Sequence, residues 1–291
     1  MAATSEPLRT RADEIRSEAF WRESFPELSI GAQRGANPVS PDSATLARAH
    51  ERMRVDGYFQ ESDPGLSVLA PKLAGAVRRL ISLDLPPPFA FLFDEPWVCF
   101  QRLGPMLATL LGEGYRVLPD FWAWHVDPST EQHGWQPHRD KGVKGLAADG
   151  TPLSLTVWIP LSQADPMNGC MYMLPAGRDP LYGVSDDGRW RIDLQSIRAI
   201  PAAPGDYLCW NQAVLHWGAR SSRFADGPRM SMALEFQRGD IAAFNTPLIA
   251  PLAELSFEDR LRLVAKQILQ YRHMYPLSPA MQGLAETILK S

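Results

Sequence analysis

Three histidines in this chain stand in patterns suited to metal chemistry. His125-Val126-Asp127 and His138-Arg139-Asp140 each set an imidazole and a carboxylate two residues apart. On an extended strand such a pair shares one face, so either pair can grip one ion while the residue between them points away. A third donor must come from elsewhere. His216, in VLHWGAR, lies in a predicted strand far downstream, which a jelly roll can bring alongside. Two histidines and one carboxylate on one face of an iron leave three positions open, the number needed by a bidentate 2-oxo acid plus dioxygen. On residue types alone the two triplets stand level, and His133 lies between them.

Such donors need strands to position them, and from Tyr115 onward the sequence reads as strand. Short runs rich in Val, Trp, Tyr and Leu alternate with turn clusters such as DPST, DDG and PGD. Strands are expected near 115–126, 133–140, 153–161, 169–175, 206–211, 213–219 and 229–238, which predicts a sandwich or barrel. The first third reads as helix. Leu46, Ala49 and Met53 recur at helical spacing over 43–55, with Asp42 or Ser43 to cap the start and Gly57 to end it. A second helix runs through Leu69, Leu73, Val77 and Leu80 and must stop before Pro86, Pro87 and Pro88. A third spans about Trp97 to Leu111. In the tail, Ser256 and Asp259 form a potential capping box ahead of Phe257, Leu261, Val264 and Ile268. No repeat or long linker divides the chain. The expectation is one domain over 1–291: a helical part over about 1–112, a β core over about 115–240 and helices over about 256–290.

With 45% hydrophobic and 21% charged residues, the chain has the composition of a folded protein. A formal net charge of -4 gives no broad basic field, so neither nucleic acid nor a membrane surface is an expected partner. The first twenty residues lack the apolar core of a secretory signal, and no stretch approaches a membrane span. Cys99, Cys170 and Cys209 form no CxxC pair and leave an odd thiol, which suits a reducing compartment. A cytoplasmic protein with buried, inert thiols is expected. Trp122, Trp124, Trp135, Trp158, Trp190, Trp210 and Trp217 crowd the strand region, as core residues or as walls of an apolar substrate cavity.

Taken in order, LPDFWAWHVDP (118–128), GWQPHRD (134–140), LSLTVWIPL (153–161), NGCMYMLPAG (168–177), PGDYLCWN (204–211), HWGARSS (216–222) and PRMSMALEF (228–236) resemble the phytanoyl-CoA dioxygenase family. The resemblance covers roughly residues 43–240. It implies a mainly β fold with flanking helices, built on a double-stranded β-helix of jelly-roll, cupin-like type. Because the family's metal aspartate lies in a GW-x-x-HxD-like strand, the resemblance selects His138 and Asp140, with His216, as ligands of Fe(II). His125 is left as a strand or pocket residue. One departure is plain: many members read PGSH where this chain reads Pro175-Ala176-Gly177-Arg178.

The resemblance also implies 2-oxoglutarate as cosubstrate, with dioxygen. Its far carboxylate needs a cation, and a buried guanidinium, always charged and forked, suits it. Arg229, with Ser231 two residues on, matches the family's Arg-Xaa-Ser, and Trp158 should line the same pocket. Strand alternation alone reads Arg229, Ser231, Ala233 and Glu235 as a solvent face opposite Met230, Met232, Leu234 and Phe236. The function implied is oxidation, by default hydroxylation, of a C–H bond in a small molecule. Two alternatives use the same fold: a cupin-like metal isomerase or hydrolase without oxygen chemistry, which needs no carboxylate clamp, and a non-catalytic binding module, which needs no metal.

Overall fold

Capping and proline placement set most helix boundaries. The structure, a computed structural model, describes residues 11–31, 38–184 and 191–290. Short helices α1 (Arg11–Arg16) and α2 (Glu18–Ser24) precede α3 (Ser43–Val55), where the Asp42 carboxylate accepts from the Thr45 N–H at 2.7 Å. Gly57, at φ +79°, turns the chain out of α3 into strand β1 (Tyr58–Ser62). Helix α4 (Pro64–Ser82) starts on the Asp63 cap, with Pro64 in the first turn, where a missing N–H costs nothing. The proline run does not extend it: Pro87–Leu92 form a buried 3-10 turn. The helix expected from Trp97 to Leu111 is two, α5 (Asp94–Arg102) and α6 (Gly104–Leu111). Pro105 cannot donate to a carbonyl in the preceding turn, so the chain breaks at Leu103 and restarts.

The strands that follow are β2 (Arg116–Val126), β3 (Ser154–Pro160), β4 (Met171–Leu174), β5 (Arg198–Ile200), β6 (Asp206–Asn211), β7 (Leu215–Gly218) and β8 (Arg229–Gln237). Helices α7 (Phe257–Gln270) and α8 (Pro279–Lys290) close the chain. Five strands form one antiparallel sheet in the order β1-β6-β3-β8-β2, and β5-β4-β7 form a smaller one. These two sheets are the jelly roll.

Three differences from the sequence expectation matter. Strand β1 lies in the stretch read as helical, completing the large sheet against β6 with Tyr58 opposite Trp210. The three-residue β5 was not foreseen. Residues 133–140 are not a strand: they form no continuous ladder with β7 and its flank, and pair with them as isolated bridges, His138 to His216 and His133 to Arg220. Pro137 has no N–H to give a continuous ladder.

Alternation along the large sheet sorts two cores. Leu155, Val157 and Ile159 of β3 and Met230, Met232, Leu234 and Phe236 of β8 pack outward, in one cluster with Leu73, Val77, Phe91 and Val264 of the helical layer. Trp158, Leu208, Trp210 and Ala233 pack inward, in a second cluster with Met171 and Met173 of the small sheet. The capping box is present, with Ser256 and Asp259 each bonding the other's backbone. Helix α7 is stitched to the sheet where the Phe121 N–H donates to Gln267 at 3.1 Å, and to α5 by the buried Arg260–Asp94 pair at 2.6 Å. Among the described residues no helix is long and apolar enough to cross a membrane.

Candidate metal centre and cosubstrate pocket

His138 and His216 face each other because the segments carrying them exchange both backbone hydrogen bonds, each N–H donating to the other's carbonyl at 3.0 Å. Their ring centroids lie 4.4 Å apart. Asp140 comes round two residues later, its Oδ1 lying 3.3 Å from His138 Nε2 and 3.5 Å from His216 Nε2. Among the described residues these three form the only group of three or more His, Cys, Asp or Glu placed to hold a metal ion, their donor atoms lying within 4.8 Å of one another.

The hydrogen bonds around the group fix what each donor offers. His138 Nδ1 donates to the Gln136 carbonyl at 2.6 Å and His216 Nδ1 to the Val214 carbonyl at 3.0 Å. A carbonyl only accepts, so each Nδ1 carries a proton, and each ring in its neutral form presents a bare Nε2 lone pair. Asp140 Oδ2 accepts from Thr156 Oγ1 at 2.7 Å and Trp210 Nε1 at 3.0 Å, which leaves Oδ1 turned toward both rings. Three lone pairs converging on one point call for a cation between them, so the donor set fits a divalent metal. Burial pushes His216 down to about 4. Burial is the largest influence on His138 and works against its charge, but the hydrogen bond and charge of Asp140, the Gln136 carbonyl and the charge of Glu235 together outweigh burial and raise it. Burial alone would raise Asp140, yet His216, His138 and Thr156 together hold it far below the usual carboxylate range.

A cavity that opens to solvent lies over this group. Arg229 lines it from the start of β8, 1% exposed, and donates to Ser231 Oγ at 2.7 Å. Its Nε has no partner, and among the described residues no carboxylate pairs with it. Burial lowers this guanidinium to about 10. Trp158 lies beneath it, 5.9 Å from ring centroid to Cζ, with its own buried Nε1 unpartnered. Above, Gly134 and Gly218 pack closely over the guanidinium: a Cβ on Gly134 would fall 2.8 Å from Gly218 Cα and 3.0 Å from Arg229 Nη2, so a larger residue there would crowd both. Unmet buried donors on a guanidinium and an indole that line the cavity suit a carboxylate ligand.

The structure thus brings together all six residues singled out from the sequence. The face Arg229, Ser231, Ala233 and Glu235, which alternation alone reads as solvent, is buried. His125 is absent from the group. Asp127 instead caps a 3-10 turn, accepting from the Ser129 N–H at 2.8 Å. Of the tryptophans, Trp122, Trp124, Trp135, Trp158 and Trp210 line the cavity, Trp217 stacks on Tyr172, and Trp190 lies outside the described residues. Sequence reading missed Thr156, Gly134, Gly218, Asp120, Glu235 and Tyr271, all lining the same cavity. The invariance of β alternation could have flagged Thr156 beside Trp158 on one face; nothing local marks Tyr271, which follows α7.

Comparison with known proteins fits this architecture. The family model Phytanoyl-CoA dioxygenase (PhyH) matches residues 37–225, more than half of the chain, ending just before Arg229. The non-heme monooxygenase ThoJ, in complex with Ni, superposes with a TM-score of 0.55 at 16% identity, covering 84% of this chain and 100% of ThoJ. The epimerase SnoN, in complex with Fe3+, alpha ketoglutarate and nogalamycin RO, gives 0.53 at 19%, covering 74% and 96%. AviO1 from Streptomyces viridochromogenes Tue57 gives 0.53 at 16%, covering 71% and 100%. At these identities the structural likenesses speak to the fold, whereas the family match takes in His138, Asp140 and His216, and the chain belongs to the phytanoyl-CoA dioxygenase family.

Proposed function

We propose that the chain is an Fe(II)- and 2-oxoglutarate-dependent dioxygenase acting on a small molecule. In this reading His138, Asp140 and His216 hold the iron, Arg229 and Ser231 bind the far carboxylate of 2-oxoglutarate, and Trp158 lines its pocket. The observation that carries it is the three-donor group sharing one cavity with a buried, carboxylate-free guanidinium. A cupin-like metal site acting without oxygen has no use for that cation. Iron, 2-oxoglutarate and dioxygen together would supply the oxidising power to break a substrate C–H bond, with succinate and carbon dioxide as coproducts.

The chain's own residues position and shield. Thr156 and Trp210 occupy Oδ2 of Asp140 and keep Oδ1 aimed at the two imidazoles. The Gln136 and Val214 carbonyls fix both histidine tautomers. Trp124, Trp135, Trp158 and Trp210 give the cavity apolar walls that exclude water from the reacting bond. Hydroxylation is the outcome we infer, which adds one oxygen atom to the product; epimerisation, the activity named for SnoN, would return a product of unchanged mass. We also take the chain as one domain, since a single apolar cluster joins helices and large sheet, and as cytoplasmic, since its three cysteines are free and buried.

Anaerobic titration of the Fe(II) protein with 2-oxoglutarate, followed by the charge-transfer absorption that chelation produces, tests the reading. Arg229→Ala should leave Fe(II) binding nearly unchanged. It should weaken 2-oxoglutarate by about 2 to 5 kcal/mol, roughly 30-fold to several thousandfold. Equal 2-oxoglutarate affinity in wild type and variant would remove Arg229 from the role.

A further inference from the structure

The cavity is electrostatically divided. Arg229 and Glu235 share one face of β8 six residues apart, so about 20 Å of strand separates a cationic end from an acidic one. At the acidic end stand Asp120 and Glu235, both buried. Asp120 Oδ1 accepts from Asn245 Nδ2 at 2.8 Å and Gln270 Nε2 at 2.7 Å, whereas its buried Oδ2 has no partner although the residue lines the cavity. Glu235 has Lys141 Nζ at 2.9 Å. Among the described residues no lysine lines this cavity and Arg229, at the far end, is its one arginine; Lys141 lines the adjoining pocket on the other side of Glu235, so two carboxyl groups have one neighbouring cation between them. Lys266 lies near but does not line the cavity, and its ammonium is taken up by Asn245 Oδ1 and the Thr246 carbonyl, each at 2.7 Å. Aromatic faces complete the enclosure: Tyr271 packs on Trp135 at 4.6 Å and on Trp122 at 5.4 Å between ring centroids.

We propose that the substrate enters this end through a positively charged nitrogen, held by Asp120 and Glu235 against the faces of Trp135 and Tyr271. The proposal rests on the oxygenase reading only in calling that ligand the substrate. A buried carboxylate oxygen without a donor costs free energy until one arrives, and indole and phenol faces attract cations most where water is excluded. An anionic group would instead meet two like charges. The same chemistry orients the molecule, since a cation fixed at this end cannot compete for Arg229, and the carbon beside it is presented to the three-donor group between the two ends.

The test uses three matched probes, 2-phenylethylammonium, 2-phenylethanol and 3-phenylpropanoate. Each is titrated into the full-length protein by tryptophan fluorescence, anaerobically with Fe(II) and 2-oxoglutarate and again without them. The ammonium should bind about tenfold or more tightly than the alcohol under both conditions, with the carboxylate weakest where 2-oxoglutarate already occupies Arg229. Asp120→Asn and Glu235→Gln should each erase most of that preference. Absence of saturable ammonium binding, equal binding of the alcohol, or a preference that survives both substitutions overturns the proposal, and the wild-type comparison decides even if a variant fails to fold. A missing charge-transfer band would sink the oxygenase reading alone, because the probe preference does not depend on iron.

Discussion

His125 and His138 stand at the same spacing from an aspartate, and what separates them is what each aspartate is free to do. Asp127 spends its carboxylate on the backbone of Ser129, while Asp140 has one oxygen held by Thr156 and Trp210 and the other turned to two imidazoles. His138→Ala, Asp140→Ala and His216→Ala should therefore each abolish Fe(II) binding and succinate formation with the far-ultraviolet circular dichroism unchanged, since each removes one of three donors. His125→Ala should keep most of both. The reverse pattern, with His125→Ala inactive and His138→Ala active, would show that the wrong triplet had been chosen. Residue types alone could not make that choice, because a side chain's remaining hydrogen-bond capacity depends on neighbours far away in sequence. The family resemblance supplied what spacing lacked.

At the scale of elements, the segment 133–142 does most of the positioning without being a regular strand. It is tied to β7 and its flank by backbone bonds at His138, Trp135 and Lys141, and Arg139, pointing away from the site, forms a fully buried pair with Asp179 at 2.5 Å. Nε and Nη1 of Arg139 have no other partner. Asp179→Asn would leave a buried guanidinium uncompensated and should cost about 3 to 5 kcal/mol in denaturant unfolding, with weaker Fe(II) binding although Asp179 is no ligand. Unchanged unfolding would mean that the pair does not anchor the segment. The alternation argument correctly placed His138 and Asp140 on one side and Arg139 on the other, yet it mislabelled the element. Side-chain alternation survives wherever the chain is extended, whereas a ladder also needs N–H groups that Pro137 cannot give. For the same reason β3, β6 and β8, with uninterrupted donors and β-branched or aromatic residues, were legible within a residue or two. Strand β1 was hidden because Tyr58–Ser62 is short and gains its identity only by pairing with β6.

Across the whole molecule, helices cover the outer face of the large sheet, so the inner face is left to enclose polar groups. Glu235 is the plainest case: its alternation in β8 matches a solvent face, but it is buried beside Lys141, in a pocket walled by Trp135 and Tyr271. Sequence periodicity reports that two faces differ, not which of them meets water, and a jelly roll with a polar interior inverts the usual assignment. The inversion has a measurable consequence in the metal-free protein. Burial pushes Glu235 from its ordinary 4.5 up to about 7, even against the attraction of Lys141. Between those two values the folded chain keeps a proton that the unfolded chain has released, so by linkage stability falls as pH rises through that window. Below it both states are protonated, and above it both are ionised, so the contribution is flat on either side. Glu235→Gln carries no such proton. The variant's Tm minus that of wild type should therefore climb between about pH 4.5 and about pH 7 and then level off, with other titrating groups cancelling in the difference. A difference independent of pH across that window would mean that Glu235 stays ionised on folding and that Lys141, rather than burial, governs this end of the cavity.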